Sequence, residues 1–179
     1  SGHADRFDDV IIATHANDAL AMLADADPIE RRILGSFRYT DNVAVLHTDE
    51  RLMPKRRNVW SSWNYIGGKK DREGAPLCVT YWMNRLQHLP SDKDLFVTLN
   101  PLVEPDPALV YRRESYDHPV FDLAAIQAQQ RVADMQGDQR TWYCGAWTGY
   151  GFHEDGLKSG LAVAQALLNR TTQPAGATA

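Results

Sequence analysis

A short apolar strand, a glycine-rich loop and the start of an apolar helix follow one another between Thr141 and Leu168. The strand is predicted over Trp142–Trp147, and the loop and helix after it contain glycines at positions 149, 151, 156 and 160. The helix is predicted to open at Gly156–Gly160. A helix N-terminus has unpaired N–H groups and a partial positive charge, so it favours an electron-rich ligand. The alternative is a strand-to-helix connection whose glycines only permit tight packing.

The segment Tyr143–Trp147, together with Glu154–Gly160, resembles the C-terminal flavin-binding segment of the FAD-dependent amine oxidase and phytoene desaturase superfamily. The resemblance is greatest to bacterial NAD/FAD-binding proteins of that superfamily. It implies that the strand ends beside the isoalloxazine ring and that the helix points its N-terminus at the flavin N1/C2=O edge. Trp147 stands where the superfamily usually has an acidic residue.

A second resemblance lies near the N-terminus. Asp9–His15 is similar to the superfamily's Asp-x-Val-Val-x-Ala-Thr-Pro segment, which passes the cofactor, although the pattern alone favours a plain central strand. The two resemblances imply FAD contacts from Ala13, Thr14, Gly145, Ala146, Trp147, Glu154, Asp155, Gly156, Leu157 and Gly160.

The candidate catalytic residues also come from the resemblance. Phe152 or His153 would occupy the aromatic position before the ring, where amine oxidases place one wall of a substrate cage. Lys55 is the candidate for the lysine that holds a water near flavin N5.

The turn that would hold the FAD pyrophosphate, Gly-x-Gly-x-x-Gly, does not occur in the sequence. We therefore expect the chain to be the C-terminal part of a longer flavoprotein, with an N-terminal dinucleotide-binding half as its missing partner. The fragment alone is expected to lack FAD and to be inactive.

Two aromatic runs, Asn58–Tyr65 and Leu77–Asn84, flank a polar connection at 67–74 and predict an antiparallel hairpin. Such a sheet can wall an apolar pocket against a flat ring; the alternative is that its aromatics form one side of the core. Further strands are predicted at 41–48, 94–100 and 110–119, and helices at 16–23, 29–34 and 123–135.

These elements predict a mixed α/β (α+β) fold. An antiparallel substrate-domain sheet is backed by helices, and the terminal segments belong to an incomplete FAD-binding Rossmann-like lobe. The expected domains are a returning FAD-lobe strand at 7–15, a substrate-binding domain at 16–139, a FAD-lobe strand and helix at 140–170, and a disordered tail at 171–179.

Charge and composition narrow the choice of partners. A formal net charge of -4 lacks the global basic field that nucleic acid attracts. The six histidines have no metal-ligand spacing, and Cys78 and Cys144 are predicted to be buried free thiols. No signal peptide or membrane-length apolar run is visible, so a cytoplasmic location is expected. The basic turn Arg51–Arg57 is either a solvated hairpin end or a contact for an anion or a membrane surface.

The expected function is the substrate-binding and flavin-capping portion of an FAD-dependent, amine oxidase-like oxidoreductase that takes a hydride from a small-molecule substrate. The alternative is a non-enzymatic binding module whose aromatic sheet holds an apolar ligand or a partner. A sheet without its neighbours exposes an edge or an apolar patch, so a homodimer through that surface is also expected.

Overall fold

The computed structural model describes residues 3–66 and 78–172, with side chains described as far as Arg170. The polar connection predicted at 67–74 lies outside the described residues, as does the predicted tail from 173 onward. Positions 171 and 172, which were expected to begin that tail, belong to the last helix instead.

The chain divides into two compact units, with boundaries at 40/41 and 118/119. Unit 1 consists of the described residues up to Thr40 and from Pro119 onward. Unit 2 is the segment Asp41–His118 between them. The predicted domain limits at 15/16 and 139/140 refer to function and stay a prediction. By compactness, residues 16–40 and 119–139 belong with the terminal segments, because their helices share one core with both terminal strands.

Unit 1 is built on two parallel strands, β1 (Val10–Ile12) and β7 (Thr141–Tyr143). The β-branched valine and isoleucines of β1 favour an extended backbone. Just beyond the ladder, the Cys144 N–H donates to the Ile12 carbonyl at 3.1 Å. Strands from opposite ends of the sequence therefore finish side by side at their carboxyl ends.

Three short helices pack with these strands: α1 (Ala16–Met22), α2 (Pro28–Leu34) and α4 (Leu123–Gln129). They match the predicted positions, except that α4 gives way to a 3₁₀ turn at Val132–Met135. The buried core that they share with the strands consists of Ile12, Ala16, Ala19, Ile33, Leu34, Phe37, Ala125, Ala128, Val132, Met135, Tyr143 and Trp147.

The last helix, α5 (His153–Thr172), begins three residues before the predicted opening at Gly156. Its inner side packs Val163 against Trp142 and Cys144. The predicted strand before it ends at Tyr143 rather than at position 147, because a 3₁₀ turn follows.

Unit 2 carries a five-stranded sheet in the order β3-β4-β5-β2-β6. Its strands are β2 (Arg38–His47), β3 (Trp63–Ile66), β4 (Cys78–Trp82), β5 (Phe96–Leu99) and β6 (Val110–Val120). The pairs β3–β4, β4–β5 and β5–β2 are antiparallel, which confirms the predicted hairpin of β3 and β4.

The two aromatic strands are shorter than predicted. Arg57–Val59 forms a 3₁₀ turn, and Trp60 packs with Met53 and Phe96 in a small core instead of continuing a strand. After β4 the chain forms one helical turn, α3 (Met83–Gln87), where the strand was expected to continue. Burial of the Trp60 ring, which the alternation pattern does not encode, fixes the backbone before β3.

The whole is a mixed α/β fold with a five-stranded antiparallel sheet and helices, as the sequence predicted. Cys78 and Cys144 are free and buried, also as predicted. Among the described residues, none of the helices has both the length and the apolar character needed to cross a membrane. The same residues contain no cluster of three or more side chains suited to binding a metal ion.

Candidate functional site

The carboxyl ends of β1 and β7 form the centre of the candidate site. The chain leaves β1 through Ala13 and Thr14 and reaches Gly145 soon after β7. Gly145 has a φ of 155°, and a Cβ there would lie 2.6 Å from Trp147 Nε1 and 3.2 Å from the Thr14 carbonyl oxygen, so only glycine fits. Open α/β sheets bind ligands outside the carboxyl ends of parallel strands. The structure thus brings the predicted residues of both terminal segments together.

Trp147 is a core residue. Its side chain is 2% exposed, and its ring lies edge-on to Phe37 with centroids 4.7 Å apart. Its Nε1–H donates to the Thr14 carbonyl at 3.1 Å. The ring therefore connects the ends of the two strands. Since the ring is buried, the cofactor contact predicted at this position would be made by the backbone of the turn Ala146–Thr148.

Two side chains that sequence reasoning missed hold the loop in place. Ser159 Oγ accepts the Gly145 N–H at 2.9 Å and donates to the Gly156 carbonyl at 2.9 Å, so it joins the strand end to the helix. Gln129 Nε2 donates to two carbonyls of the loop, at 2.9 and 2.5 Å. The serine stands inside the glycine-rich motif and could have been noticed there. The glutamine, far upstream, has no local signal.

The N-terminal end of α5 is exposed. Asp155 Oδ2 accepts the N–H groups of Tyr150 and Phe152, both at 3.0 Å, which curls the loop before the helix. A Cβ on Gly149 would lie 2.5 Å from Asp155 Cγ, so packing explains that glycine. Phe152 is 66% exposed and His153 is exposed as well. Both predicted wall residues are therefore accessible to a ligand.

Two side chains of the first turn are acidic, so they reduce the partial positive charge that the helix dipole places at this end. Glu154 and Asp155 place two carboxylates in the first turn, and Glu154 pairs with Lys158 at 3.5 Å. Acidic side chains stabilise a helix N-terminus by compensating its partial positive charge. The first turn therefore carries two carboxylates beside its N–H groups, and the contact with an electron-rich ring edge stays a prediction.

Packing against the described residues does not explain why glycine occupies positions 156 and 160. A Cβ on Gly160 would have no heavy atom within 4 Å, and one on Gly156 would make only an ordinary contact, 3.7 Å from the Ala146 nitrogen. A glycine inside a helix costs about 1 kcal/mol relative to alanine. Leu157 and Leu161 are 59% and 61% exposed. The first two turns of α5 thus present an open apolar surface beside two glycines.

Lys55 belongs to unit 2 and is exposed, and its role near a flavin stays a prediction. Two of the four cations of the basic turn around it form ion pairs within their own unit: Arg51 donates to Asp49, and Arg57 donates to Asp94, both at 2.5 Å. For Arg57, the pairing with Asp94 favours the structural interpretation of the turn. Its contact with an anion or a membrane surface remains a prediction.

One face of the unit 2 sheet is apolar and accessible. The strand register places two rows of side chains across β3, β4, β5 and β2: Trp63, Tyr81, Val97 and Leu46, then Tyr65, Val79, Leu99 and Ala44. The Trp63 and Tyr81 rings meet edge to face with centroids 5.8 Å apart. A cavity of about 380 Å³ lies beside Leu46 and Val97 and is bordered by Arg112. Because Trp63 and Tyr65 are exposed, these two aromatics are not core residues.

A buried chain of polar side chains, also missed from sequence, lies under the opposite face. His47 Nδ1 accepts the Asp49 N–H at 3.0 Å, which places the ring proton on Nε2. The chain then runs from His47 Nε2 to Thr98 Oγ1 at 2.7 Å, to Thr80 Oγ1 at 2.8 Å and to the Leu52 carbonyl at 3.2 Å. Each group donates to the next, and burial lowers the pKa of His47. Its members are scattered in sequence, so only the fold reveals them.

No protein-family model matches the sequence, and no curated protein matches it. Among the solved structures that resemble it are two proteins of more than twice its length. One is a CLA-producing fatty acid isomerase from P. acnes, with 16% identity and a TM-score of 0.55. The other is a candidate protoporphyrinogen oxidase from Exiguobacterium sp. 255-15, with 12% identity and a TM-score of 0.56. Each match covers 93% of this chain and 42% of the other chain. At these identities the likeness is one of fold, and this chain spans less than half the length of either structure.

Proposed function

We propose that this chain is the substrate-binding and flavin-capping portion of an FAD-dependent oxidoreductase. The observation that carries the proposal is the start of α5, where Gly156 and Gly160 leave space that the described residues do not use. This helix begins beside the carboxyl ends of β1 and β7, a position where open α/β folds bind nucleotides. The sequence resemblance, and the fold shared with proteins named as an isomerase and an oxidase, support the same function.

FAD fits these residues in shape. A side chain at position 160 would project into open space, so a flat ring can approach the backbone of Gly160, with Leu157 and Leu161 as apolar contacts. Gly145 and Ala146 would face the cofactor through their backbone. When bound, the flavin would supply the acceptor for a hydride taken from a C–N or C–C bond of the substrate.

The chain's own side chains would orient the substrate and exclude water. Phe152 and His153, both exposed at the start of α5, would form one wall of the substrate site. Ala13 and Thr14, at the end of β1, would border the cofactor on its other side. Lys55 is the proposed lysine for a bound water. An amine substrate would follow from the resemblance, and His153, in place of a tyrosine, is where this chain differs.

The remaining part of the cofactor site would come from an N-terminal dinucleotide-binding half, which carries the pyrophosphate-binding turn in such folds. The chain spans 42% of the length of each of the two solved structures named above, which is consistent with a partner segment of that kind. We therefore propose that these 179 residues alone hold FAD weakly and lack activity.

The test is FAD binding by the full-length protein, followed by flavin absorbance. Gly160→Leu should weaken FAD binding by about tenfold or more, which corresponds to about 1.4 kcal/mol, because the leucine fills the space kept for the ring. Ala164→Leu, one turn later and exposed on the same helix, is the matched control and should leave the affinity unchanged. A colourless, FAD-indifferent full-length protein, or equal affinity in the two variants, would contradict the proposal.

The second candidate function is a non-enzymatic module that binds an apolar ligand on its sheet. The two accessible rows that start at Trp63 and Tyr65 favour it. Titration with the apolar dye anilinonaphthalene sulfonate should then saturate, and the double variant Trp63→Ser, Tyr65→Ser should abolish this binding. Tyr111→Ser, at another exposed tyrosine of unit 2, is the control. Dye binding that survives the double variant would rule this candidate out.

A further inference from the structure

A cavity of about 730 Å³ in unit 2 is lined by charges of both signs. Its walls carry two arginines and two acidic residues, and two prolines contribute apolar surface: Arg51, Arg113, Glu104, Asp106, Pro105 and Pro107. None of these residues takes part in the flavin site or the apolar sheet face. The cavity is therefore independent of the proposed function.

Arg51 is held rigidly by a buried partner. Asp49, 2% exposed, accepts the Nε–H of Arg51 at 2.9 and 3.0 Å and Nη2 at 2.5 Å. Its Oδ2 also accepts the Asp106 N–H at 2.8 Å, so both oxygens of Asp49 are engaged. This pairing uses one edge of the guanidinium, and Nη1 makes no hydrogen bond to any of the described residues. Arg51 thus has N–H donors, pre-positioned by Asp49, for a second oxyanion.

Arg113 is held more loosely. Its Nη2 donates to Glu104, and both side chains of this pair are exposed. Exposed ion pairs of this kind contribute at most about 1 kcal/mol. A ligand carboxylate can therefore replace Glu104 on Arg113, and the released Glu104 carboxylate becomes available to a cation.

The charge balance decides which ligand suits the cavity. The Arg51–Asp49 pair is neutral as a unit, because the guanidinium holds the pKa of Asp49 well below its usual range. Arg113 contributes one positive charge, and Glu104 and Asp106 contribute two negative charges. A simple anion would meet a net negative site, and a simple cation would leave the Arg51 donors unused. A ligand that carries both charges satisfies both sets of groups.

We propose that this cavity binds a small zwitterion that carries a carboxylate and an ammonium group. Its carboxylate would accept from Arg51 and Arg113, and its ammonium group would donate to Glu104 and Asp106. The surfaces of Pro105 and Pro107 would contact the aliphatic part.

The test is calorimetric titration of the 179-residue chain with three related compounds. Norleucine carries both charges, N-acetylnorleucine only the carboxylate, and norleucine methyl ester only the ammonium group. Norleucine should bind saturably, and each blocked compound should bind at least about tenfold more weakly. Equal binding of either blocked compound, or no binding of norleucine, would overturn the proposal.

Variants locate the site. Arg113→Gln and Asp106→Asn should each weaken norleucine binding by about tenfold or more; asparagine keeps an acceptor for the Ala108 N–H that caps the adjacent 3₁₀ turn. Arg51→Lys keeps a cation beside its buried partner but loses the planar fork, and should weaken binding too. Arg56→Gln removes an exposed cation of the same turn that does not line the cavity, and is the control. Unchanged norleucine affinity in Arg113→Gln would overturn the assignment, whatever the outcome of the FAD titrations.

Discussion

Two glycines near the start of α5 have opposite structural roles, and single alanine substitutions should separate them. Gly160 lies inside the helix, and a Cβ there meets no heavy atom within 4 Å. Alanine at this position meets no steric clash and restricts the backbone of the unfolded chain more than glycine does. Gly160→Ala should therefore raise the free energy of unfolding by about 1 kcal/mol. For a chain of this size, that corresponds to a melting temperature higher by about 2–4 °C.

Gly149→Ala should do the reverse. Its Cβ would lie 2.5 Å from Asp155 Cγ, so the carboxylate must move away from the N–H groups of Tyr150 and Phe152. Hydrogen bonds to a charged group contribute about 1.5–3 kcal/mol each, and solvent can replace them in part at this exposed loop. We expect Gly149→Ala to lower the free energy of unfolding by about 2 kcal/mol.

Both variants are measured by urea unfolding followed by circular dichroism, with the m-value checked for constancy. In the full-length protein, Gly160→Ala should weaken FAD binding while it stabilises the fold. This opposite change in affinity and stability is expected if the glycine serves a ligand, because a glycine that serves packing loses stability when it is replaced. A Gly160→Ala chain that is less stable than the parent would refute the assignment of open space at position 160.

Three further predictions concern stability and assembly. Tyr143→Phe should lower the free energy of unfolding by about 1–3 kcal/mol, because the buried Tyr143 hydroxyl donates to Glu30 at 2.5 Å; an unchanged urea midpoint would contradict this. Burial lowers the pKa of His47 in the folded state, so below about pH 6.5 the unfolded chain binds the proton first and stability should fall as pH decreases; a urea midpoint that stays constant from pH 7.5 to about pH 5 would exclude this. Light scattering should show a dimer through the exposed apolar surface, and a strictly monomeric species would count against it.

Much of the fold was predictable because local signals decide it. Asp27 and Pro28 predict the start of α2, and the structure shows the full capping box of Asp27 with Glu30. Alternating aromatics around a polar connection predicted the antiparallel pairing of β3 and β4. The errors lie at element ends, where the burial of one side chain outweighs the pattern. Trp60 is the clearest example, since its ring belongs to a core that the neighbouring residues do not reveal.

The candidate site was predictable only in part. The glycine-rich motif and the Ala13–Thr14 segment were both chosen from sequence, and the structure joins them through the Trp147 indole. The resemblance could not show that this ring is a core residue. Ser159, Gln129 and the polar chain from His47 depend on contacts between residues that are distant in sequence, and such contacts exist only in the folded chain.

The sequence by itself determined where the chain bends, which runs are extended or helical, and which glycines stand near the start of α5, because these follow from backbone propensity and short-range periodicity. The tertiary structure decided which of those glycines serve packing and which leave open space. It also decided that Arg51 is pre-positioned by a buried carboxylate. The physical reason is that space and charge pairing depend on which distant side chains come within a few ångströms, and no local pattern records this.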